Sequence, residues 1–350
     1  MLRLLLATLA VAVLTAFTPV LPGVPLQFPH DFGAHHGFKT EWWYATGWLT
    51  TADGKTVGYQ VTFFRAATGQ GDENPSKFAA KDLILGHAAL SDPANGKLLH
   101  DQRSAREGFG LAYAMPGDTR LKLDSWRMQR DAAGRYQIDV PAREFTLKLT
   151  LTPTQPVLLQ GDQGFSRKGP RPSQASYYYS EPQLRTTGAI VAANGREQAV
   201  TGVTWLDHEW STQYLDPEAD GWDWAGINLD DGGALMAFQI RGRQGSRIWS
   251  HATWRDASGK ITHYAQDQVS FTPQKRWRSP RTNAEYPVAT TIATGDIQWQ
   301  LTPLQQDQEL DARQSSGAVY WEGAVTVQRN GQPAGRGYLE LTGYYKPLKL

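Results

Sequence analysis

Three ionisable side chains stand side by side near the middle of the chain. Asp207, His208 and Glu209 are consecutive, and Trp205 and Trp210 flank them. An acid next to aromatic rings can protonate a substrate, and the rings can then stabilise the cation that forms. We therefore take Asp207, His208, Glu209 and Trp210 as candidate catalytic residues. The alternative is that a buried histidine between two carboxylates serves structure alone.

The segment Gly202–Trp210 predicts a β-strand, because it begins at a glycine and continues with β-branched, aromatic and apolar residues. Side chains of a strand alternate between its two faces. His208 and Trp210 therefore share one face, whereas Asp207 and Glu209 share the other. If the first face lines a cavity, His208 is its only ionisable residue and the expected proton donor.

A second candidate strand carries the run Glu41-Trp42-Trp43-Tyr44. Trp42 and Tyr44 share one face, and Glu41 and Trp43 share the other. The run is either a core strand with a carboxylate at its edge or the aromatic wall of a ligand site with Glu41 at the rim. The candidate ligand-binding residues are Glu41, Trp42, Trp43, Tyr44, Tyr178, Trp205 and Phe238.

The N-terminus has the pattern of a secretory signal peptide. Arg3 is the only charged residue before Asp31, and the apolar run Leu4–Phe17 follows it. This run is too short to span a bilayer comfortably, and prolines end it. We predict a signal peptide over residues 1–22 and export to the periplasm or beyond. A retained membrane anchor is the alternative.

Composition excludes several functions. The 350 residues carry a formal net charge of +1, so no nucleic-acid partner is expected. Cysteine is absent, which excludes disulfides, thiol catalysis and thiolate metal sites. His30, His35 and His36 lie near Asp31, but their spacing is no recognised metal signature, and we expect neither a metal nor another cofactor. No Gly-x-Ser-x-Gly, Walker or dinucleotide motif occurs.

Turn signals predict an all-β protein. The hairpin dipeptides Asp53-Gly54, Asn194-Gly195, Asp231-Gly232, Ser258-Gly259 and Asn330-Gly331 separate alternating or aromatic runs, and no helical periodicity is sustained. Repeated short-turn strands favour a barrel or a sandwich. The pattern breaks at Asp216-Pro217-Glu218, and each side is long enough for an eight-stranded barrel. Gln160–Ser176 is irregular, either a lid or rim loop or a solvated connection.

Several motifs together carry a resemblance to a known family. They are Phe28-Pro29-His30-Asp31-Phe32-Gly33-Ala34-His35, Thr40-Glu41-Trp42-Trp43-Tyr44, Phe63-Phe64-Arg65, His87-Ala88-Ala89-Leu90-Ser91-Asp92, Ala175-Ser176-Tyr177-Tyr178-Tyr179-Ser180 and Trp205-Leu206-Asp207-His208-Glu209-Trp210. The chain resembles the AttH-like secreted lipocalin-like family, which is related to the carotenoid 1,2-hydratases. The resemblance implies two lipocalin-like antiparallel β-barrels packed together, over residues 28–215 and 216–350, with a ligand site near their junction.

The resemblance also implies a chemistry. The hydratases add water to a carbon–carbon double bond of an isoprenoid or carotenoid-like substrate, with a His and a Trp two residues on, which His208 and Trp210 match. They also use a Tyr and an Asp on a later strand, where this chain offers Phe238 and Gln239. The alternative is a non-catalytic protein that binds a lipid or another apolar ligand and serves a transport system of the cell envelope. Both interpretations give the protein an apolar small molecule as its partner.

Overall fold

The computed structural model describes residues 17–69 and 74–348. These residues form two large antiparallel sheets, which confirms the prediction of a nearly all-β protein built from two lipocalin-like barrels. The first 16 residues of the predicted signal peptide lie outside the described residues. Among the residues described, no helix has the length and apolar character needed to cross a membrane.

The first sheet contains thirteen strands. They are β1 (Thr40–Thr51), β2 (Thr56–Ala67), β3 (Asp82–Ser91), β4 (Leu99–Arg106), β5 (Ala112–Ala114), β6 (Arg120–Leu123), β7 (Trp126–Arg130), β8 (Tyr136–Pro141), β9 (Phe145–Thr152), β10 (Leu158–Leu159), β11 (Phe165–Arg167), β12 (Ala175–Ala192) and β13 (Glu197–Gln213). Their order is β4-β3-β2-β1-β13-β12-β9-β8-β7-β6-β5, and β10 and β11 pair with β12.

The second sheet contains ten strands. They are β14 (Ala219–Leu229), β15 (Ala234–Gly242), β16 (Arg247–Arg255), β17 (Ile261–Tyr264), β18 (Val269–Arg278), β19 (Glu285–Thr294), β20 (Ile297–Pro303), β21 (Glu309–Ala312), β22 (Ala318–Arg329) and β23 (Gln332–Leu341). Their order is β17-β16-β15-β14-β23-β22-β20-β19-β18, and β21 pairs with β22. Short 3₁₀ turns lie at His30–Phe32, Pro93–Asn95, Arg243–Gly245 and Gln266–Gln268.

Tight turns set the register of both sheets. The five dipeptides that the sequence offered as hairpin signals join β1 to β2, β12 to β13, β14 to β15, β16 to β17 and β22 to β23. In the first of these turns Gly54 has a φ of 82°, a conformation that favours glycine. The stretch Gln160–Ser176 is more than a loop, because it contains β11 and the first residues of β12.

The strands β1, β13 and β12 lie side by side and form the wall between the barrels. Trp43 and Tyr179 are paired with His208, whereas Tyr44 and Ser180 are paired with Asp207. Because side chains alternate between faces, Trp43, Tyr179 and His208 point to one side of this wall. Tyr44, Ser180 and Asp207 point to the other. Trp43 and Leu206 pack in the core of the first barrel, and Tyr44, Trp205 and Tyr178 pack against Trp224, Phe238 and Tyr338 of the second.

Candidate functional site

Two clusters of ionisable groups lie on opposite faces of β13. The first, which we call the inner network, consists of Asp31, His35, Glu41, Arg65, Asp82, Tyr179, His208 and Trp210. The second, which we call the interbarrel site, consists of Tyr44, Lys168, Tyr178, Trp205, Asp207, Glu209, Trp222, Trp224, Phe238, Glu322 and Glu340.

Glu41 is the centre of the inner network. Its Oε1 lies 2.8 Å from His208 Nε2 and 2.7 Å from His35 Nδ1, and its Oε2 accepts a hydrogen bond from Arg65 Nε at 3.0 Å. Arg65 donates a further bond to Asp82 at 2.7 Å. Glu41 and Arg65 are both fully buried. Of the two interpretations of the run Glu41-Trp42-Trp43-Tyr44, the structure favours the core strand for Glu41, because its buried carboxylate is paired with Arg65 inside the first barrel.

Aromatic stacking fixes the histidines of the inner network. The His35 ring is 3.8 Å from the Trp210 ring at an angle of 7°, and the His208 ring is 4.4 Å from that of Trp43. Tyr179 Oη lies 3.0 Å from His208 Nδ1. His208 and Trp210 thus share one face of the strand, in a packed and hydrogen-bonded setting.

Protonation in the inner network follows from burial and pairing. Burial outweighs the hydrogen bond to Glu41 and lowers the pKa of His208 to about 4, so its ring is neutral near pH 7. Burial would raise the pKa of Glu41, but the hydrogen bonds from His208 and His35 hold it well below its usual range. A neutral imidazole beside an ionised carboxylate is poorly suited to protonate an alkene. The role of proton donor that the sequence suggested for His208 is not favoured here.

Asp207 is the best-connected acid of the interbarrel site. Its carboxyl oxygens accept hydrogen bonds from Tyr178 Oη at 2.7 Å, Ser180 Oγ at 2.6 Å and Trp205 Nε1 at 2.6 Å. Tyr178 Oη in turn accepts one from Trp224 Nε1 at 3.0 Å, across the junction of the barrels. This path holds a carboxyl and a phenol in fixed positions between the two domains.

Burial keeps three acids of this site, Asp207, Glu322 and Glu340, protonated at higher pH than ordinary carboxyls. It raises the pKa of Asp207 to about 7 against the effect of its hydrogen-bond donors. It likewise raises the pKa of Glu340 to about 7, although Trp222 Nε1 donates to that carboxyl at 3.0 Å. The neighbouring Glu322 has its pKa raised well above the usual range by burial and by Glu340, and Tyr44 is its hydrogen-bond donor.

Lys168 brings a cation into the same site. Its Nζ lies 3.0 Å from Glu209 Oε1 and stands over the rings of Tyr178 at 4.6 Å and Phe238 at 4.2 Å. Burial lowers the pKa of this amine, although Glu209 opposes the effect. The residue comes from the irregular stretch Gln160–Ser176, which therefore supplies a group of the site.

The structure separates the residues that the sequence singled out. Asp207, Glu209, Trp205, Tyr178, Tyr44, Trp42 and Phe238 face the junction, whereas His208, Trp210, Glu41 and Trp43 face the first barrel. On β15, Gln239 donates to Asp223 and lies outside the interbarrel site. A tyrosine–aspartate pair does exist, but β12 and β13 supply it as Tyr178 and Asp207.

Sequence reasoning missed Lys168, Trp222, Trp224, Glu322 and Glu340. The one available signal was a single carboxylate at Glu322 and at Glu340, each with apolar or aromatic residues directly beside it. Such isolated charges are rarely buried without a partner. Their meeting with Asp207 depends on the packing of one barrel on the other, which no local pattern specifies.

Three groups of side chains in the described chain have metal-ligand atoms within 4.8 Å of one another: His30, Asp31 and His35; His35, Glu41 and His208; and His36, Asp82 and Glu107. In the second group the nitrogen–oxygen distances of 2.7 and 2.8 Å are those of hydrogen bonds. Arg65 already neutralises Glu41 and Asp82. Glu41 and Asp82 of the second and third groups therefore already have a cationic partner.

Fold and site together define a two-barrel lipocalin-like protein with a polar and aromatic site at the barrel junction. The AttH-like family model matches residues 19–344, and the chain belongs to this family. No curated protein sequence matches the chain.

The chain is also similar to solved structures. A proposed AttH from Nitrosomonas europaea is 60% identical, with a TM-score of 0.89 over 93% of this chain and 99% of that one. Kievitone hydratase from Nectria haematococca is 16% identical, with a TM-score of 0.68 over 95% of each chain. CghA, solved with Sch210972, is 14% identical, with a TM-score of 0.51 over 87% and 89%. At these lower identities the last two show similarity of fold.

Proposed function

We propose that the protein is a hydratase whose active site is the interbarrel site. The observation that carries this proposal is the hydrogen-bonded pair of Tyr178 and Asp207 among buried aromatic rings. Its support is chemical, because hydration of an unactivated alkene needs an acid that still holds its proton near neutral pH. The fold shared with kievitone hydratase supports the same class of reaction.

The first step is protonation of one alkene carbon. Asp207 in its protonated form supplies the proton. It does so directly, or it donates to Tyr178 Oη, the reverse of the hydrogen bond that its carboxylate form accepts, and Tyr178 then passes its own proton to the alkene while taking that of Asp207. The cation that forms on the second carbon faces Trp205 and Trp224, whose rings lie 6.2 Å apart. Their π faces stabilise a cation without bonding to it.

Water completes the reaction. It attacks the cationic carbon and loses a proton to a carboxylate on the other side of the site, a role that suits Glu340 in its ionised form because its pKa is about 7. The alkene gains one hydrogen and one hydroxyl, Asp207 ends ionised, and exchange with solvent restores both acids. Two carboxyls with a pKa near 7 can divide the acid and base roles in this way.

The side chains that line the interbarrel site indicate the class of substrate. Tyr178, Trp205, Trp224 and Phe238 are buried, whereas Trp42, Trp222 and Glu340 are partly exposed, and we place the entrance for a substrate on their side. An elongated apolar molecule with one double bond near its end could enter past the tryptophans with the alkene foremost. An isoprenoid or carotenoid-like end group has this form.

A carrier of an apolar ligand is the second candidate. The same aromatic wall would bind an isoprenoid or lipid without chemistry, and CghA was solved with the small molecule Sch210972 in a related fold. As a carrier the protein would serve an envelope transport system, and in either role we propose export through the N-terminal segment. Sequencing the N-terminus of the protein recovered from the envelope fraction tests export, which requires a start beyond Ala16.

Native mass spectrometry of the exported protein distinguishes the two candidates. The protein is released with its co-purified ligand, and the ligand is then incubated with fresh protein in ¹⁸O-labelled water. If the ligand is an alkene, a hydratase converts it into an alcohol that carries the label. If the ligand is already the alcohol, a hydratase exchanges its oxygen for the label through the reverse reaction. A carrier returns the ligand unlabelled at every time point.

A further inference from the structure

Exposed apolar side chains are concentrated at one edge of the first barrel. Five of the ten large hydrophobic residues exposed in the described chain lie there. We call this surface the edge patch; it consists of Phe78 (69% exposed), Leu83 (37%), Phe109 (57%), Leu111 (60%) and Met115 (43%). Such a concentration on a soluble domain marks an interaction surface.

Four residues of the edge patch, Phe78, Leu83, Phe109 and Leu111, are neighbours. The rings of Phe78 and Phe109 are 5.3 Å apart, and the Arg106 guanidinium stands over both at 5.1 and 5.0 Å. Arg106 pairs with Leu83 across β3 and β4, so the two share a face. A β-bridge between Gly108 and Ala112 closes a turn that carries Phe109, and we call it the Phe109 turn. Leu111 lies in the same turn.

The Phe109 turn is built to expose an aromatic ring. Gly108, Phe109 and Gly110 have φ values of 134°, 56° and 68°, all in the region that favours glycine. A phenylalanine is rare in this region, so its presence in an exposed turn calls for a functional reason. Lys122 Nζ donates to Gly110 O at 2.5 Å and holds the turn in place.

Basic residues surround the edge patch. Arg120 and Lys122 on β6 face the same side as Tyr113 of β5, and Arg127 of β7 pairs with Lys122 on one side and with the exposed Asp139 of β8 on the other. Lys77 and Lys81 are exposed beside Phe78. The nearby Asp124 is neutralised by Arg103 at 2.9 Å. The patch is therefore apolar at its centre and cationic at its margin.

We propose that the edge patch docks the protein on an anionic lipid surface. Exposed phenylalanines that enter the interface, with Lys and Arg beside them, are the features by which a protein binds an anionic bilayer peripherally. Charge complementarity selects this occupant, because the cationic margin would repel the margin of a second copy of the chain. The patch lies outside the interbarrel site, so this proposal stands independently of the hydratase assignment.

Vesicle co-sedimentation tests the proposal with the full mature protein. One set of vesicles contains equal parts phosphatidylglycerol and phosphatidylcholine, and the other contains phosphatidylcholine alone. We expect binding to the first set that weakens with added salt, and weak binding to the second. Phe109→Asn keeps a residue that tolerates positive φ and should reduce binding by about tenfold. Arg120→Gln should reduce it by about fivefold.

Matched controls lie on the second barrel. Ile261 is an exposed apolar residue and Lys275 an exposed cation there. Ile261→Ser and Lys275→Gln should leave vesicle binding unchanged, and circular dichroism should show all four variants folded. Absence of binding to anionic vesicles, or equal loss in the control variants, would overturn the proposal. Self-association that Phe109→Asn abolishes, without vesicle binding, would assign the patch to a second copy instead.

Discussion

Replacing Asp207 by asparagine should make the protein more stable at alkaline pH. In the folded chain burial raises the pKa of Asp207 from its ordinary 3.8 to about 7. The unfolded chain loses this proton near pH 4 and the folded chain holds it to about pH 7, so the free energy of unfolding falls as the pH rises between these values. Over this whole pH range the wild type loses roughly 4 kcal/mol of unfolding free energy. Asparagine does not ionise, so the variant does not have this loss.

The size of the effect is best measured as a difference between two pH values. The asparagine side chain of this variant still accepts from Ser180 and Trp205, but its amide NH₂ faces the Tyr178 hydroxyl, which costs about 1 kcal/mol at any pH. This fixed cost cancels when Asp207→Asn and wild type are compared by urea unfolding at about pH 5 and pH 8. We expect the variant to gain roughly 3 kcal/mol relative to wild type between them.

The control for this experiment is Asp230→Asn, at an exposed carboxyl in the turn after β14. Its stability relative to wild type should not depend on pH in this range. If the stability of Asp207→Asn relative to wild type were the same at pH 5 and at pH 8, the folded protein would hold Asp207 ionised across this range. The carboxyl could then not serve as the proton donor of the interbarrel site.

Three other perturbations have definite outcomes. Arg65→Met leaves the buried carboxylate of Glu41 without its guanidinium and should cost about 3–5 kcal/mol of stability by urea unfolding, whereas Arg278→Met on the surface should cost less than about 1 kcal/mol. Burial lowers the pKa of His35 but its carboxylate partners raise it overall, so the stability it contributes is lost as the pH rises above its ordinary value of 6.5. His35→Gln should flatten the stability profile above about pH 6.5. Tyr178→Phe should slow hydration of a bound alkene by about tenfold or more, measured by single turnover, while the ligand remains bound.

Much of the fold could be predicted from local sequence. The hairpin dipeptides specify where strands turn, because only a few residues adopt the positive φ that a tight turn needs. Strand alternation correctly predicted that His208 and Trp210 share one face and Asp207 and Glu209 the other. What alternation does not specify is which face meets another domain, since both faces of β13 are buried.

The chemistry of the candidate site was harder to predict. The pKa of His208 and the pKa of Asp207 depend on burial and on partners from distant segments, such as Glu41 on β1 and Tyr178 on β12. Lys168 reaches the site only because β11 pairs with β12. These relations come from the packing of the barrels, and a single sequence carries no direct record of them.

The comparison of Asp207→Asn with His208→Gln tests the central claim most directly. The two residues are adjacent in sequence but face opposite sides of the wall between the barrels. Each variant is mixed with an acyclic polyene or a shorter isoprenoid in ¹⁸O-labelled water, and incorporation of the label into the alcohol is followed by mass spectrometry. If the interbarrel site catalyses hydration, Asp207→Asn lowers the rate by about 10²–10⁴-fold while His208→Gln retains most of it. The opposite order would move the chemistry to the inner network, and no label incorporation by the wild-type protein across the panel would contradict the hydratase proposal.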